Sequence, residues 1–442
     1  MTSHLIELMY EASAKLLFIP FILILVGSII LTFKSRFIQI RTLASMVKML
    51  FYSALNRSQT ATTHDTIPPH KALFTAMSTT IGIGNIVGPI IAMGLGGPGA
   101  LAGFILATIF GAAATFTEVA LAVTYRKKLP DGRVLGGPMQ YLSVGLHPFL
   151  GKIYAYTGFI LLVAWSSNQS NTISMVLEPY GISRYATGAF LALTVIFILI
   201  GGIKRIGSIN EMLVPIMFCI YGAATSWIIC CHADQIIPSF KLMWLSLWAP
   251  EAVLGAGTAI GLTQALRYGL ARAFQSNEAG VGTSTFAHSM AETSNPTHQG
   301  ILAMISVYSN GVLCLLSGLT VLVTGAWKLP GAKFDITMLT GIIDSHFPTI
   351  GPIILILSAF LFAYGTILGN GYNGSQCFLY VTNNRWVKFY YVLSAIVIFL
   401  GCISDVKFVW TVVDFLILPV AIPNTIGIIL LAFKHKEIFK ID

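Results

Sequence analysis

Apolar segments of about 20 residues recur along the chain, and short polar stretches separate them. A run of that length forms a helix that can cross the hydrocarbon core of a bilayer. Because no long polar segment remains between the runs, we expect residues 1–442 to form one integral-membrane domain. The pattern predicts eleven membrane-spanning α-helices, at residues 15–33, 71–95, 99–125, 149–172, 184–202, 209–231, 251–275, 297–325, 350–380, 385–402 and 410–432.

The charged residues predict how these helices are oriented. With the N-terminus outside, most of the 26 Lys and Arg residues fall in loops on the cytoplasmic side, which is the usual asymmetry. The segment before the first span carries Glu7 and Glu11 instead of a basic stretch, so we interpret that span as retained and not as a signal peptide. We expect a multi-pass protein of the plasma membrane, the inner membrane in a bacterium, with a cytoplasmic C-terminus.

The composition excludes several classes of protein. Hydrophobic residues make up 55% of the chain, charged residues only 10%, and the mean hydropathy is +0.80, so the chain is not a soluble domain. The net charge of +9 follows from the loop asymmetry and does not indicate nucleic-acid binding. The six cysteines lack metal-binding spacing, and no nucleophile elbow, HExxH or phosphate-binding motif occurs. We therefore expect neither an enzyme nor an enzymatic cofactor.

The second predicted span contains residues that a continuous apolar helix does not need. Three glycines, a proline, an amide and three hydroxyls fall within residues 78–89. A helix that breaks inside a bilayer offers free N–H groups to an anion and free carbonyls to a cation, so the cluster predicts a solute or ion site. The alternative is close helix packing, since Gly84 and Gly88 are four residues apart. Packing does not explain the polar residues, and we assign to binding Thr79, Thr80, Gly82, Gly84 and Asn85.

The seventh predicted span is interrupted by Gly255, Gly257, Gly261 and Gly269. If spans two to six form one repeat and spans seven to eleven another, each repeat opens with an interrupted helix. The repeats then run in opposite directions because five is odd, which is a layout typical of secondary transporters. We therefore divide the chain into an N-terminal span with a cytoplasmic connection, two inverted repeats and a cytoplasmic tail, at residues 1–70, 71–231, 251–432 and 433–442.

Two further spans carry candidate ligand-binding residues. The fourth contains a run of uncharged polar residues at 166–172, which is costly against lipid, and Gln169 offers both a donor and an acceptor to an amino acid. The alternative is that this run leaves the membrane for an external loop. In the ninth span, Thr366 is a candidate hydroxyl ligand of sodium, and Asn370 and Asn373 are candidate cavity residues. The alternative there is helix packing.

Acidic residues within spans are functional candidates because they are costly to bury. Glu118 precedes Arg126 by about two helical turns, and Glu278 lies near Arg272. We interpret both as structural or gating salt bridges. Asp414 has no evident partner and is a possible proton site.

Several sequence blocks together resemble the alanine or glycine:cation symporter family, the sodium:alanine symporters. They occur in order over residues 70–380, and the block at 271–280 is the most distinctive. The blocks are TIGIGNIVG at 80–88, GGPGA at 96–100, GGPMQY at 136–141, QSN at 169–171, ARAFQSNEAG at 271–280, FA at 362–363 and TILG at 366–369.

The resemblance implies a fold and a set of roles. The fold is an all-α integral-membrane structure of the LeuT type, with two inverted five-helix repeats, broken first helices and a peripheral N-terminal helix. The function is import of a small neutral amino acid, alanine or glycine, by sodium symport with alternating access. From the resemblance together with the residues identified above, we expect substrate contacts from Thr80, Gly82, Gly84, Asn85, Gln169, Asn171, Gly257, Gly261 and Asn370. Of these, the resemblance itself implies the break around Gly82 to Asn85, Gln169 and the region of Gly257 to Gly261. The expected sodium contacts are Thr79, Gly82 and Thr366, and the expected gating or structural residues are Glu118, Arg126, Arg272, Asn277 and Glu278.

Some positions depart from the family pattern. Ile83 stands where a threonine is usual, Gly365 where serine or threonine is common, Asn370 where a large aromatic residue is frequent, and Ser375 where glutamate is frequent. The sequence therefore leaves open a proton-coupled or passive amino-acid transporter and an amino-acid sensor that does not transport. The expected partners are a small amino acid, a sodium ion and the lipid bilayer, and nucleic acid is not among them.

Overall fold

The structure, a computed structural model, describes residues 9, 12, 13, 16–55, 66–128, 134–248, 262–383 and 385–440. These residues are mostly helical, and a two-stranded hairpin, β1 (Lys127–Lys128) and β2 (Val134–Leu135), joins two of the helices. The helices are α1 (Phe18–Lys34), α2 (Ile38–Arg41), α3 (Leu43–Leu55), α4 (Pro69–Thr80), α5 (Ile83–Gly96), α6 (Ala100–Tyr125), α7 (Pro138–Gly145), α8 (Pro148–Leu177), α9 (Arg184–Leu199), α10 (Gly202–Cys231), α11 (Ile236–Trp248), α12 (Leu262–Asn277), α13 (Ser284–Ser289), α14 (Pro296–Thr324), α15 (Ile336–His346), α16 (Gly351–Val381), α17 (Val387–Ile403) and α18 (Val406–Lys434).

A helix or a pair of half-helices lies at each predicted span, although residues 251–261 of the seventh span lie outside the described residues. In the described part of the chain, seven helical segments are long and apolar enough to cross a membrane, and α1, α9 and α17 are shorter apolar helices. Large apolar side chains such as Leu193, Phe197 and Trp227 are exposed on α9 and α10. An apolar exterior of this kind suits contact with lipid.

The first helix break lies where the glycine cluster predicts it. Helix α4 ends at Thr80, Gly82 has an extended backbone with φ −115° and ψ −167°, and α5 begins at Ile83. The N–H of Gly82 donates to the side-chain oxygen of Asn85 at 3.0 Å. That side chain therefore partners an amide that the interrupted helix leaves free.

Of the glycines that interrupt the seventh predicted span, only Gly269 lies within the described residues, and the helix does not break there. Helix α12 is continuous through Gly269, where an added Cβ would lie 2.1 Å from the carbonyl oxygen of Ala100. That glycine permits close packing with the start of α6 and does not interrupt the helix. The backbone instead leaves helical geometry at Glu278, Gly280 and Gly282, whose φ values are 54°, 82° and 93°. Helix α13 begins at Ser284, so the break spans residues 278–283.

Corresponding helices of the two predicted repeats pack against each other. Helix α6 packs on α14, α8 on α16 and α9 on α17, and these are corresponding members of the two predicted repeats. The half-helices α5 and α12 pack together, as do α4 and α13, so the two broken helices lie side by side. Helix α1 packs outside this arrangement against α6 and α18. The two breaks consequently face one region of the protein interior.

Candidate functional site

A cavity of about 50 Å³ lies between the two broken helices and the middle of α8 and α16. A space of roughly 10–15 Å³ on this measure holds one water molecule, so the cavity has room for a small solute. Its lining residues are Thr79, Thr80, Gly82, Ile83, Gly84, Asn85, Gly88, Trp165, Asn168, Gln169, Arg272, Gln275, Ser276, Glu278, Thr366, Asn370 and Trp410. Most of the residues that the sequence assigns to substrate or sodium therefore meet here.

The start of α5 forms one wall of the cavity. The N–H of Ile83 donates to the side-chain oxygen of Gln169 on α8 at 3.2 Å. An added Cβ at Gly82 would lie 2.7 Å from the Thr366 hydroxyl and 3.2 Å from both terminal atoms of Gln169. Glycine at 82 thus allows α8 and α16 to approach the break, and position 83 contributes through its backbone whatever its side chain.

The hydroxyl of Thr366 lies among three backbone carbonyl oxygens. It is 2.9 Å from the oxygen of Ser78, 3.0 Å from that of Phe362 and 3.4 Å from that of Ile81. The Phe362 carbonyl is an interior carbonyl of α16, whereas those of Ser78 and Ile81 lie at the end of α4, where intrahelical partners run out. The Thr366 hydroxyl and these two carbonyl oxygens form a cluster that suits a hard cation.

Asn310 on α14 joins the two breaks, and the sequence analysis does not identify it. Its side-chain nitrogen donates to the carbonyl of Thr80 at 2.7 Å and to the carbonyl of Ser276 at 2.9 Å. Both acceptors belong to the ends of half-helices, where carbonyls lack intrahelical partners. Two helical turns further along α14, the hydroxyl of Ser317 donates to the carbonyl of Asn85 at 2.8 Å. The spacing of these polar residues on one face of an apolar helix is the signal that could have located them.

The hydroxyls of the first break are directed toward their own helix. Thr79 donates to the carbonyl of Ala76 at 2.7 Å, and Thr80 lies 3.2 Å from the carbonyl of Met77. Thr79 and Thr80 still line the cavity, as does Gly84. The carbonyl of Gly82, a predicted sodium contact, accepts the N–H of Asn85 at 3.0 Å.

Asn171 does not join the other predicted substrate contacts. Its side-chain nitrogen donates to the carbonyls of Gly401 and Ser404 at 2.8 and 2.9 Å, which attaches α8 to the end of α17. Two residues correspond to about 200° around a helix, so Asn171 faces away from the cavity that Gln169 lines. The polar run on α8 therefore serves both binding and helix packing. Gly257 and Gly261, the remaining predicted contacts, lie outside the described residues.

Arg272 borders the cavity but does not form the expected salt bridge with Glu278 in the part of the chain that the structure describes. Its guanidinium donates to the side-chain oxygen of Gln275 at 2.8 Å and lies 5.1 Å from the centre of the Trp410 ring. The amide of Gln275 in turn donates to Asp414 at 3.2 Å. Glu278 instead accepts the hydroxyl proton of Thr283, because the break turns its side chain toward residues of the same loop.

Glu118 and Arg126 also have partners other than each other. Eight residues separate them by about 12 Å along a helix, too far for direct contact. The carboxylate of Glu118 accepts from Asn424 at 2.7 Å, and the same amide nitrogen donates to the carbonyl of Gly280 at 2.9 Å. Arg126 donates to the carbonyl of Ser289, the last residue of α13, and to that of Ala291 just beyond it. Both residues thereby hold the second broken helix.

Asn277 ends the first half of that helix. Its side-chain oxygen accepts the N–H of Ala279 at 3.1 Å, and its nitrogen donates to the carbonyl of Ala107 on α6 at 3.3 Å. This local bond to the backbone two residues on favours a turn over continued helix. The residue therefore contributes to the break and does not line the cavity.

Comparison with known proteins identifies the family. The sequence matches the sodium:alanine symporter family over residues 2–440. The chain belongs to this family. It is 34% identical to the sodium/alanine symporter AgcS of Methanococcus maripaludis over 93% of this chain and 92% of that protein. It is 30% identical to the probable sodium/glutamine symporter GlnT of Bacillus subtilis over 93% of this chain and 85% of that protein.

Membership of the sodium:alanine symporter family makes the protein a multi-pass, cation-coupled amino-acid transporter and not an enzyme. Solved structures of similar fold include MhsT in complex with L-phenylalanine, with a TM-score of 0.58 and 17% identity over 82% of this chain and 88% of that one. A sodium-coupled sialic acid symporter has a TM-score of 0.57 and 13% identity over 94% and 98% of the two chains. These similarities confirm the predicted LeuT-type fold.

Proposed function

We propose that this family member imports a small neutral amino acid, alanine and glycine being candidates, by sodium symport with alternating access. The observation that carries the proposal is the meeting of two helix breaks at one cavity that α8 and α16 complete. Broken helices of this kind supply N–H groups to a carboxylate and carbonyl groups to a cation or an ammonium group.

In this proposal, the carboxylate of the amino acid lies at the start of α5. Ile83, Gly84 and Asn85 form the first turn of that half-helix and line the cavity, so the positive end of the helix dipole lies there. Gln169 orients this turn through the Ile83 N–H and keeps its own amide nitrogen for the substrate. The ammonium group lies at the opposite type of helix end, near the carbonyls of Thr80 and Ser276.

The sodium ion, which is a cargo of the transporter, occupies the oxygen cluster around Thr366. Its ligands are the hydroxyl of Thr366 and the carbonyls of Ser78 and Ile81. Thr79 and Gly82, the other predicted sodium contacts, shape the site through backbone geometry, since the Thr79 hydroxyl and the Gly82 carbonyl already have partners. Because the ion would connect α4 to α16, its binding would favour one arrangement of the two repeats over the other.

We assign gating or structural roles to Arg272, Asn277, Glu278, Glu118 and Arg126. Arg272, Trp410 and the Gln275–Asp414 hydrogen bond border the cavity on the side of α12 and α18, where a movable closure would separate it from one face of the membrane. In the proposed topology, the protein lies in the plasma membrane with its N-terminus outside the cell and its C-terminus in the cytoplasm.

Uptake into proteoliposomes tests the proposal. Purified protein is reconstituted, and uptake of labelled alanine and glycine is measured with an inward sodium gradient and with choline in place of sodium. We expect concentrative uptake in sodium only. Equal uptake in choline with the proton gradient collapsed would exclude symport, equilibration without accumulation would indicate a passive transporter, and saturable binding without flux would indicate a sensor.

A further inference from the structure

A second cavity lies where α1 and α18 end, and it shares no lining residue with the cavity between the broken helices. Its volume is about 570 Å³, and most of its lining residues are basic. The basic residues are Lys34, Arg36, Arg41, Lys436 and Lys440, and the others are Ser35 and Phe439. No acidic residue lines this cavity in the part of the chain that the structure describes. The fold thus gathers positive charge from segments near both ends of the chain into one concave surface.

Packing holds the segment after α18 against the rest of the protein. The hydroxyl of Thr297 donates to the carbonyl of Ile438 at 3.0 Å, and the Ile438 side chain is buried. The ring of Phe439 stacks on that of Phe116, with the ring centres 5.9 Å apart. These contacts fix the backbone of residues 436–440, so the two lysines of this segment are held at the cavity.

A left-handed turn after α1 forms the opposite wall of this cavity. Arg36 and Phe37 have φ values of 54° and 57°. Left-handed backbone is unfavourable for residues that carry a side chain, so two in succession need support from the surrounding structure. The N–H of Phe37 supplies such support by donating to the carbonyl of Thr32 at 2.8 Å. With this geometry, Lys34 at the end of α1 and Arg41 at the end of α2 line the same cavity.

The basic residues of this cavity form no salt bridge with a carboxylate among the described residues. Glu437 lies between two of the lysines in sequence, but its carboxylate is 2.6 Å from a ring nitrogen of His435. The ammonium group of Lys34 lies 4.2 Å from the centre of the Phe433 ring. Like charges held close together repel, and an anion bound among them removes that repulsion. Arginine and lysine side chains in such an arrangement suit a phosphate group in particular.

The usual excess of basic residues on one side of a membrane does not by itself explain this cavity. That excess orients the helices, and it requires only that Lys and Arg lie in loops on the same side. It does not require basic residues from two distant segments to line one cavity that has no acidic lining residue among those described. The convergence of these side chains therefore indicates an anionic ligand.

The helices that end at this cavity carry exposed apolar side chains. Ile30 and Phe33 are exposed on α1, Leu430 and Phe433 are exposed on α18, and the two helices pack on each other. A ligand that matches both features has an anionic head and apolar chains. We propose that the cavity binds the headgroup of an anionic phospholipid, whose acyl chains follow the exposed faces of α1 and α18. Lipid bound in this way connects the end of α1 to the segment after α18.

Lipid binding to the purified protein tests the proposal, and this readout does not depend on the proposed function. The full chain in a neutral detergent is titrated with phosphatidylglycerol and with phosphatidylcholine of the same acyl chains, and bound lipid is measured by native mass spectrometry. Glycerol phosphate is added as a soluble competitor. The variant Arg36→Gln/Lys436→Gln/Lys440→Gln removes three positive charges from the cavity.

A second triple variant with the same net charge serves as the control. Lys127→Gln/Lys152→Gln/Lys204→Gln changes exposed lysines that lie outside the cavity and are predicted to lie on the same side of the membrane. We expect the wild type and this control to bind phosphatidylglycerol at least about tenfold more tightly than phosphatidylcholine. The cavity variant should lose about tenfold or more of its affinity for phosphatidylglycerol, since each basic residue adds to the attraction of an anionic headgroup.

Three outcomes overturn the proposal. The first is equal affinity of the wild type for the two lipids, and the second is an equal loss of affinity in the two triple variants, which would mean that net charge alone attracts the lipid. The third is displacement of the lipid by an equimolar amount of glycerol phosphate, which would identify a site for a soluble anion. If the cavity variant does not fold, Lys436→Gln/Lys440→Gln leaves α1 unchanged and should still lose at least about threefold in affinity. Unchanged affinity in that double variant also overturns the proposal.

Discussion

The side-chain oxygen of Gln169 accepts a hydrogen bond from the backbone N–H of Ile83 at 3.2 Å. This bond crosses from α8 to the first residue of α5 and partners one of the amides that the helix break exposes. The bond also bears on the isoleucine at position 83, where threonine is usual in the family. The break uses the backbone of this residue, so a hydroxyl at that position is not needed to hold Gln169 in place.

We predict that Gln169→Ala weakens amino-acid binding while the protein still folds. The change removes the partner of the Ile83 N–H and an amide beside the proposed carboxylate position, so KM should rise about tenfold, equivalent to ~1.4 kcal/mol. Uptake kinetics in proteoliposomes measure this effect. Gln235→Ala, at an exposed glutamine, should leave KM unchanged, and a normal KM in Gln169→Ala would contradict the proposed role.

The Thr366 hydroxyl is predicted to determine the sodium dependence. Thr366→Val keeps the branched shape but removes one of the oxygens grouped around Ser78 and Ile81. The sodium concentration at half-maximal uptake should rise about tenfold, since one oxygen ligand is lost. Thr366→Ser retains the hydroxyl and should remain within about twofold of the wild type. Identical sodium titrations of Thr366→Val and the wild type would place the ion elsewhere.

Gly82 is predicted to tolerate no side chain. An added Cβ would lie 2.7 Å from the Thr366 hydroxyl and would separate the break from α16, so Gly82→Ala should reduce initial uptake at least about tenfold. Gly341→Ala is the matched control, because a Cβ there meets nothing within 4 Å and alanine suits the helix α15. Full uptake by Gly82→Ala would show that the proposed close approach is dispensable.

Asn310→Leu should lower the stability of the protein as well as its uptake. The substitution leaves the carbonyls of Thr80 and Ser276 without their common donor, at a cost of roughly 1–3 kcal/mol for each unpaired group. Thermal unfolding of the detergent-solubilised protein measures the loss. Asn210→Leu, which breaks no described side-chain hydrogen bond, should have a much smaller effect. Equal midpoints for the two variants would argue against the bridge.

Local sequence predicted the first half of the site well. Glycines, hydroxyls and Asn85 are concentrated at one break, and α4 and α5 separate there. The polar residues Gln169 and Thr366 are conspicuous in apolar spans, and both line the same cavity. These features could be recognised because a polar or helix-breaking residue inside a membrane segment needs a partner, whatever the rest of the fold.

The sequence was less informative where a residue type has several uses. Gly269 serves helix packing, and the break that the structure describes after it falls at residues 278–283. Asn171 attaches α17, although it lies two residues from Gln169. A glycine or an asparagine looks the same in the sequence whether it packs helices together or forms part of a break or binding site. Only the neighbouring helix determines which of these roles it has.

By itself the sequence determined the class of protein, the positions of the helices, the first break and the family, because hydropathy and local backbone preference act over short stretches of chain. Only the tertiary structure decided which polar groups meet. Asn310 joins the carbonyl of Thr80, 230 positions away along the chain, to that of Ser276, 34 positions away. Asn168 and Asn370, from different helices, line the same cavity. Such relationships depend on how helices pack across long separations, which no local pattern specifies.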